Sequence, residues 1–236
     1  MLLSLILYGS RARGDHRQRS DVDLLGVVES SAIHREVTAR GASFYHYPSH
    51  TLIAKAESGD LFALHLVEEG IVLHDTVDFF EKVRSSFRFR EDYKSTIKEA
   101  QAVLRFLRDR RSLIDKPKVR KRMVWAMRTI IIARAAEKRS PVFASKALEL
   151  FSGIAGLKDV IDNRNTVEAR KLLEASQSVE EKFGVQVFAG SWPDVVPAQV
   201  MLMKRIGGVA QDTLKFVPSE LQAERIVEGG GGEYFL

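Results

Sequence analysis

One stretch constrains this chain more than any other. Leu5 to Leu25 reads LILYGSRARGDHRQRSDVDLL. A strand-like apolar run ends at Gly9-Ser10, a polar loop follows, and Asp21-Val22-Asp23 opens a second apolar run. Gly9 lets the backbone turn tightly and leaves room for a phosphate to approach it. Ser10 and the N–H groups after it can form an anion-binding nest, more so if a helix begins there. Side chains alternate along a strand, so Asp21 and Asp23 are expected on one face, with Val22 turned to the core. Two carboxylates so placed suit Mg²⁺, which takes carboxylate and substrate phosphate oxygens together. A phosphate cradle beside a magnesium site is the basic equipment for phosphoryl chemistry.

Gly9-Ser10-Arg11-Ala12-Arg13-Gly14, followed by Ser20-Asp21-Val22-Asp23-Leu24, resembles the signature of the polymerase-beta-like nucleotidyltransferase superfamily. That superfamily includes the aminoglycoside nucleotidyltransferases and the minimal nucleotidyltransferases of bacteria. The resemblance implies a nucleoside triphosphate, ATP by analogy, gripped at Gly9 and Ser10. It implies Mg²⁺ at Asp21 and Asp23, which would be the catalytic carboxylates. A nucleotidyl group would pass to a hydroxyl on a small molecule, a protein or an RNA end. Arg11 can contact phosphate or pair with Asp15 and Asp21, whereas Arg13 reads as structural.

Members of this superfamily usually carry a third acid on a neighbouring strand. The strand expected to hold it reads Ala42-Ser43-Phe44-Tyr45-His46-Tyr47, without Asp or Glu. Ser43 is the first candidate for the vacated position, with Phe44 to His46 as alternatives. His46 as a base, or Glu57 or Asp60 as substitute acids from a helix, have simpler structural readings. Without the third acid the acceptor is poorly activated and a second metal poorly held, which favours one Mg²⁺ over two. Two functions are compatible with this: a magnesium-dependent transferase, or a degenerate nucleotide-binding partner of antitoxin-like or regulatory type.

The 236 residues allow one large or two small domains. There is no cysteine, which excludes disulfides and cysteine-based zinc sites and makes the cytoplasm the default location. No run approaches the roughly 18 apolar residues of a membrane span. Residues 1–8 read as a strand rather than a signal peptide. A net charge of +5 favours anionic partners. Arg105 to Arg122 contains nine basic residues, a phosphate-binding surface for RNA, DNA or the triphosphate, or the solvated face of two helices.

The predicted fold is an α/β nucleotidyltransferase domain over 1–88, with a small mixed sheet and helices. A helical domain over 89–225 and a tail over 226–236 follow. Strands are expected at Leu2–Tyr8, Val22–Val28, Ala42–Tyr47 and Ile71–His74. The first two are apolar enough for burial on both faces. Asp60 is the expected N-cap of a helix over Leu61–Glu69. Later helices are expected over Pro117–Lys138, Ala144–Phe151, Thr166–Phe183 and Pro197–Phe216. By the resemblance, Lys146 is the lysine of the helical domain that reaches the triphosphate. None of the six histidines lies in the helical region, which argues against a ribonuclease there. The early first strand leaves its sheet without a preceding helix, a place for a protein partner or a homo-oligomer contact.

Overall fold

The structure, a computed structural model, describes residues 1–18, 20–29, 34–37, 42–185, 196–206 and 208–215. The chain divides into two compact units, Met1–Asp92 and Tyr93–Leu236. The expected tail, 226–236, lies outside the described residues.

In the first unit, β1 (Leu2–Tyr8), β2 (Val22–Val28), β3 (His34–Val37), β4 (Ala42–Pro48) and β5 (Ile71–Asp75) form one sheet in the order β3-β4-β2-β1-β5. β1 is antiparallel to β2 and β5, β2 is parallel to β4, and β3 is antiparallel to β4. The sheet is therefore mixed, as expected. Helices α1 (Ser10–Arg13), α2 (Ser49–Glu57), α3 (Leu61–Glu69) and α4 (Phe79–Ser86) complete the unit.

The core lies between the sheet and α2–α4. Ile6, Tyr8, Leu25 and Val27 of the sheet pack with Leu52, Ala56, Ala63, Leu66, Phe79, Phe80 and Val83 of the helices. Each of the Ile, Leu, Val and Phe side chains contributes about 1.5–3 kcal/mol on burial. The expectation that β1 and β2 are buried on both faces is corrected here. Leu5, Leu7, Val22 and Leu24 are only partly buried, because the core helices lie on one side of the sheet. Over Gly26 the other side is covered by neighbouring strand side chains. A Cβ there would meet the Phe44 ring at 2.9 Å, His46 at 3.1 Å and Leu2 at 3.2 Å. Phe44 and His46 meet edge to face at 4.6 Å.

Local signals explain the helix ends. Asp60 caps α3 as expected, accepting from Phe62 N at 2.9 Å and Ala63 N at 3.3 Å. Gly59 precedes it at φ +65°, and a Cβ there would lie 2.4 Å from the Arg88 carbonyl oxygen. Asp75, the last residue of β5, accepts from Phe79 N at 2.9 Å and Phe80 N at 2.8 Å and so fastens the start of α4. Partial burial works against the Asp75 charge, but the Phe80, Phe79 and Val77 amides outweigh it, with help from His74, and hold its carboxyl below the usual value.

The second unit is helical: α5 (Lys94–Arg108), α6 (Pro117–Glu137), α7 (Ser145–Ser152), α8 (Leu157–Asp162), α9 (Ala169–Phe183), α10 (Val196–Ile206) and α11 (Gly208–Leu214). Ile97, Ala100, Leu104 and Leu107 of α5 are buried, as are Val119, Met123, Ala126, Met127, Ile130 and Ile131 of α6. Helical spacing makes α5 present one apolar side, whereas burial wraps round α6, where Val124, Ala133, Ala135 and Ala136 are buried too. Pro117 opens α6, where its missing N–H is not needed. The single helix expected over Pro197–Phe216 is two, and Gly208 at the start of the second has φ +50°.

Candidate nucleotide site

β1 delivers the chain to Gly9, whose φ of 76° and ψ of −155° belong to a region that other residues avoid. The chain turns there and enters the single turn of α1 at Ser10. The turn is pressed against a carboxylate: a Cβ at Gly9 would stand 2.8 Å from Asp23 Oδ2. Glycine is thus required twice, for its backbone angles and for the space that Asp23 occupies. Gly14, at φ 78° and ψ 8°, closes α1, and Asp15 N donates to Ser10 O at 3.1 Å.

The sheet register supplies the rest of the floor. Tyr8 of β1 lies beside Asp23 of β2, and Asp23 lies beside Ser43 of β4. Laterally adjacent residues share a face of a sheet. The Tyr8 ring packs edge to face on Phe62 and His65 of α3, at 5.7 and 5.9 Å, so this is the helix side. Asp23 is half-buried and Ser43 buried. Asp21 precedes β2 rather than belonging to it, and is exposed. The ladder therefore holds Asp23, whereas Asp21 sits at its mouth.

Two arginines fasten the loop. Arg11 donates through Nε and Nη2 to the Ser20 carbonyl oxygen, at 3.2 and 3.0 Å, bridging α1 to the residue before Asp21. Arg13 donates to Glu69 Oε2 of α3 at 2.7 Å and to Asp15 Oδ1 at 3.1 Å. His65 Nε2 lies 2.6 Å from the same Glu69 oxygen. Burial opposes the Arg13 charge, yet Glu69 and Asp15 outweigh it and keep the guanidinium above its ordinary value. Glu69 and His65 escaped the sequence reading. Their only local signal is an i, i+4 pair on α3, and their partner Arg13 is more than fifty positions away.

Lys146 lies on α7 of the second unit and is exposed. The basic run from Arg105 to Arg122 is largely put to use inside that unit. Arg105 and Arg108 both pair with Glu180 of α9, Arg108 at 2.7 Å, and Gln101 donates to Glu180 Oε1 at 2.8 Å. Arg110 stacks over Phe106 at 3.6 Å and donates to its carbonyl. Arg120 is buried and donates to the carbonyls of Ile114 at 2.8 Å and Val167 at 2.5 Å. Arg111, Lys116, Lys118 and Lys121 are the exposed members. A cleft of about 810 Å³ in the same unit runs from Gly153 to Lys182, and its lining includes no motif residue.

Asp23, Asp21 and the Ser43 hydroxyl are hard oxygen donors, the kind that Mg²⁺ prefers. The bare backbone at Gly9 gives the Asp23 carboxylate its room, since a Cβ there would stand 2.8 Å from Asp23 Oδ2. Donors of this kind would suit one Mg²⁺ completed by phosphate oxygens. Among the described residues no three His, Cys, Asp or Glu side chains come together as a metal-binding group.

Residues 2–104 match the family model described as nucleotidyltransferase domain, the class that the mixed sheet and the Gly-Ser and Asp-x-Asp elements define. Residues 2–104 of the chain are thus a nucleotidyltransferase domain. Among solved structures, a nucleotidyltransferase-like protein from Exiguobacterium sibiricum 255-15 is similar at 14% identity, over 97% of this chain and 86% of that one, with a TM-score of 0.36. No curated relative matches the sequence. Among the described residues no helix is long and apolar enough to cross a membrane.

Proposed function

We propose that this chain binds a nucleoside triphosphate with Mg²⁺, ATP by analogy, and transfers its nucleotidyl group to a hydroxyl acceptor. The observation that carries this reading is the packing of the Asp23 carboxylate against the glycine turn of a nucleotidyltransferase domain. Gly9 and Ser10 present backbone N–H groups to the phosphates, with Arg11 beside them. Asp21 and Asp23 would hold the metal. Bound Mg²⁺ would offset phosphate charge at the reacting centre. In the reaction the acceptor oxygen bonds to the α-phosphorus, the bond to pyrophosphate breaks, and the hydroxyl proton is released. A cytoplasmic setting, where these substrates are abundant, goes with this reading.

The test is titration calorimetry with ATP, GTP, CTP and UTP, with and without Mg²⁺, alongside pyrophosphate release with a panel of acceptors. The paired substitution Asp21→Ala and Asp23→Ala is expected to abolish magnesium-dependent binding. Unchanged binding would sink the site.

One observation favours a second reading, a nucleotide-binding regulator without turnover. The neighbour of Asp23 on β4 is Ser43, a hydroxyl that cannot take the acceptor proton as a carboxylate would. Ser43→Asp discriminates the two. Release that rises in the variant from nothing marks a degenerate enzyme, and robust release by the unaltered chain refutes the regulator.

A further inference from the structure

α3 reaches both halves of the candidate site, and the two contacts meet on one carboxylate oxygen. Arg13, the last residue of α1, donates from Nη1 to Glu69 Oε2 at 2.7 Å. Its backbone N–H donates to Gly9 O at 3.1 Å, so the residue held on α3 also closes the turn that begins at Gly9. The second contact runs through β1. His65, one helical turn before Glu69, brings Nε2 to 2.6 Å from the same Oε2 and packs its ring edge to face on Tyr8. Tyr8 in turn stands beside Asp23 in the sheet. The side chains of Arg13, Glu69 and His65 are 15%, 12% and 19% exposed, so salt and water screen the cluster weakly. Glu69 and Asp15 both face Arg13 and neutralise its charge within the unit.

We propose that Glu69 is a positioning residue of the nucleotide site, holding the Gly9 turn at a fixed spacing from Asp23 through Arg13 on one side and His65 on the other. This rests on the nucleotide reading above and adds to it the residue that aligns the two halves. A single helical turn such as α1 is not stable by itself, since nucleation fixes several residues for one hydrogen bond. It therefore depends on its anchors. The Arg11 anchor joins α1 to the loop before β2, at the Ser20 carbonyl. The Arg13 anchor joins it to α3, which is fixed in the unit by burial of Ala63, Leu64 and Leu66. Because Glu69 acts at one remove, its loss loosens the turn without removing any group that touches the nucleotide. Arg13 is on this account a strut and not a phosphate ligand, which sets the sign of the effect: freeing a phosphate ligand would tighten binding, whereas freeing a strut weakens it.

The test is titration calorimetry of the full chain and its variants with the four nucleoside triphosphates and Mg²⁺, with a melting temperature for each protein. Glu69→Ala is expected to bind about tenfold more weakly, and Arg13→Ala likewise, while the double variant loses no more than either alone, as members of one linkage do. Glu69→Gln still accepts from Arg13 but lacks the charge, and should lose only about threefold. Asp75→Ala, which loosens α4 away from the cluster, should melt earlier with unchanged affinity. Earlier melting of Glu69→Ala at unchanged affinity overturns the proposal, because the cluster then serves the fold alone. Tighter binding by Glu69→Ala overturns it as well, and so do losses that add in the double variant. An unaltered chain that binds no nucleotide overturns the site reading and this proposal together, whereas binding by the unaltered chain and by an indifferent Glu69→Ala overturns the proposal alone. If Glu69→Ala loses its folded signal, Glu69→Gln decides: weaker binding supports the positioning role, and unchanged binding overturns it.

Discussion

Gly9→Ala separates the two duties of the turn. At φ 76° and ψ −155° an alanine is held in a conformation that costs about 1–3 kcal/mol. Its Cβ would also stand 2.8 Å from Asp23 Oδ2, closer than side chains come, so the carboxylate must shift. Gly14→Ala is the matched control. Gly14 also has a positive φ, 78°, but a Cβ there meets nothing within 4 Å. It should lose about 1–2 kcal/mol from the left-handed conformation and no more. Both variants should therefore melt earlier by thermal denaturation. Only Gly9→Ala should lose magnesium-dependent nucleotide affinity, by about tenfold or more, the equivalent of about 1.4 kcal/mol. Equal affinity losses in the two variants would refute the claim that Asp23 depends on the bare backbone of Gly9. An unaltered melting temperature in Gly9→Ala would refute the strain.

Gly59→Ala should lower stability by about 2 kcal/mol or more in urea titration, because its Cβ is driven into the Arg88 backbone at positive φ. Asp75→Ala should lose about 1 kcal/mol at neutral pH, as for a lost helix cap. Because folding depresses the Asp75 carboxyl, its contribution is present above the ordinary aspartate range and disappears as pH falls through the depressed value. The variant should accordingly show a shallower acid limb in stability against pH. Glu180→Ala should cost roughly 3 kcal/mol by leaving Arg105 and Arg108 without their shared carboxylate, read as a drop in the denaturant midpoint. Glu69→Ala should release Arg13 and His65 together and cost roughly 1–2 kcal/mol, read by thermal denaturation.

The parts of the fold written in local chemistry were readable from the chain. Asp60 caps the helix that its position announces, Pro117 opens its helix, and the strands on either side of the Gly-Ser turn lie where their apolar runs predict. What was not readable depends on distant partners. β3 has only four residues, with Arg35 and Glu36 at its centre, and exists by its ladder to β4. α8 is a six-residue helix with no strong signal before it except Gly156. The arginines of α5 looked like a ligand surface because Glu180, the residue that binds two of them, lies some seventy positions later. In the candidate site, the tight turn at Gly9 was legible. The alignment of Ser43 with Asp23 needed the parallel register, and the anchoring of Arg13 needed α3 to fold back onto the loop.

The Arg11 clasp on the Ser20 carbonyl gives the loop before β2 a shut neck. Ser20 also accepts at its hydroxyl from Arg17 N at 2.9 Å, and Asp15 to Gln18 beyond the neck are exposed. Ring closure is then settled below the tip, and each doubling of the tip's length adds only about 0.6 kcal/mol of chain entropy. Insertions between Asp15 and Gln18 can vary the exposed tip while the carboxylate of Asp23 stays where it is. Lineages and protein engineers alike are thereby offered a cassette whose contents vary independently of its hinge.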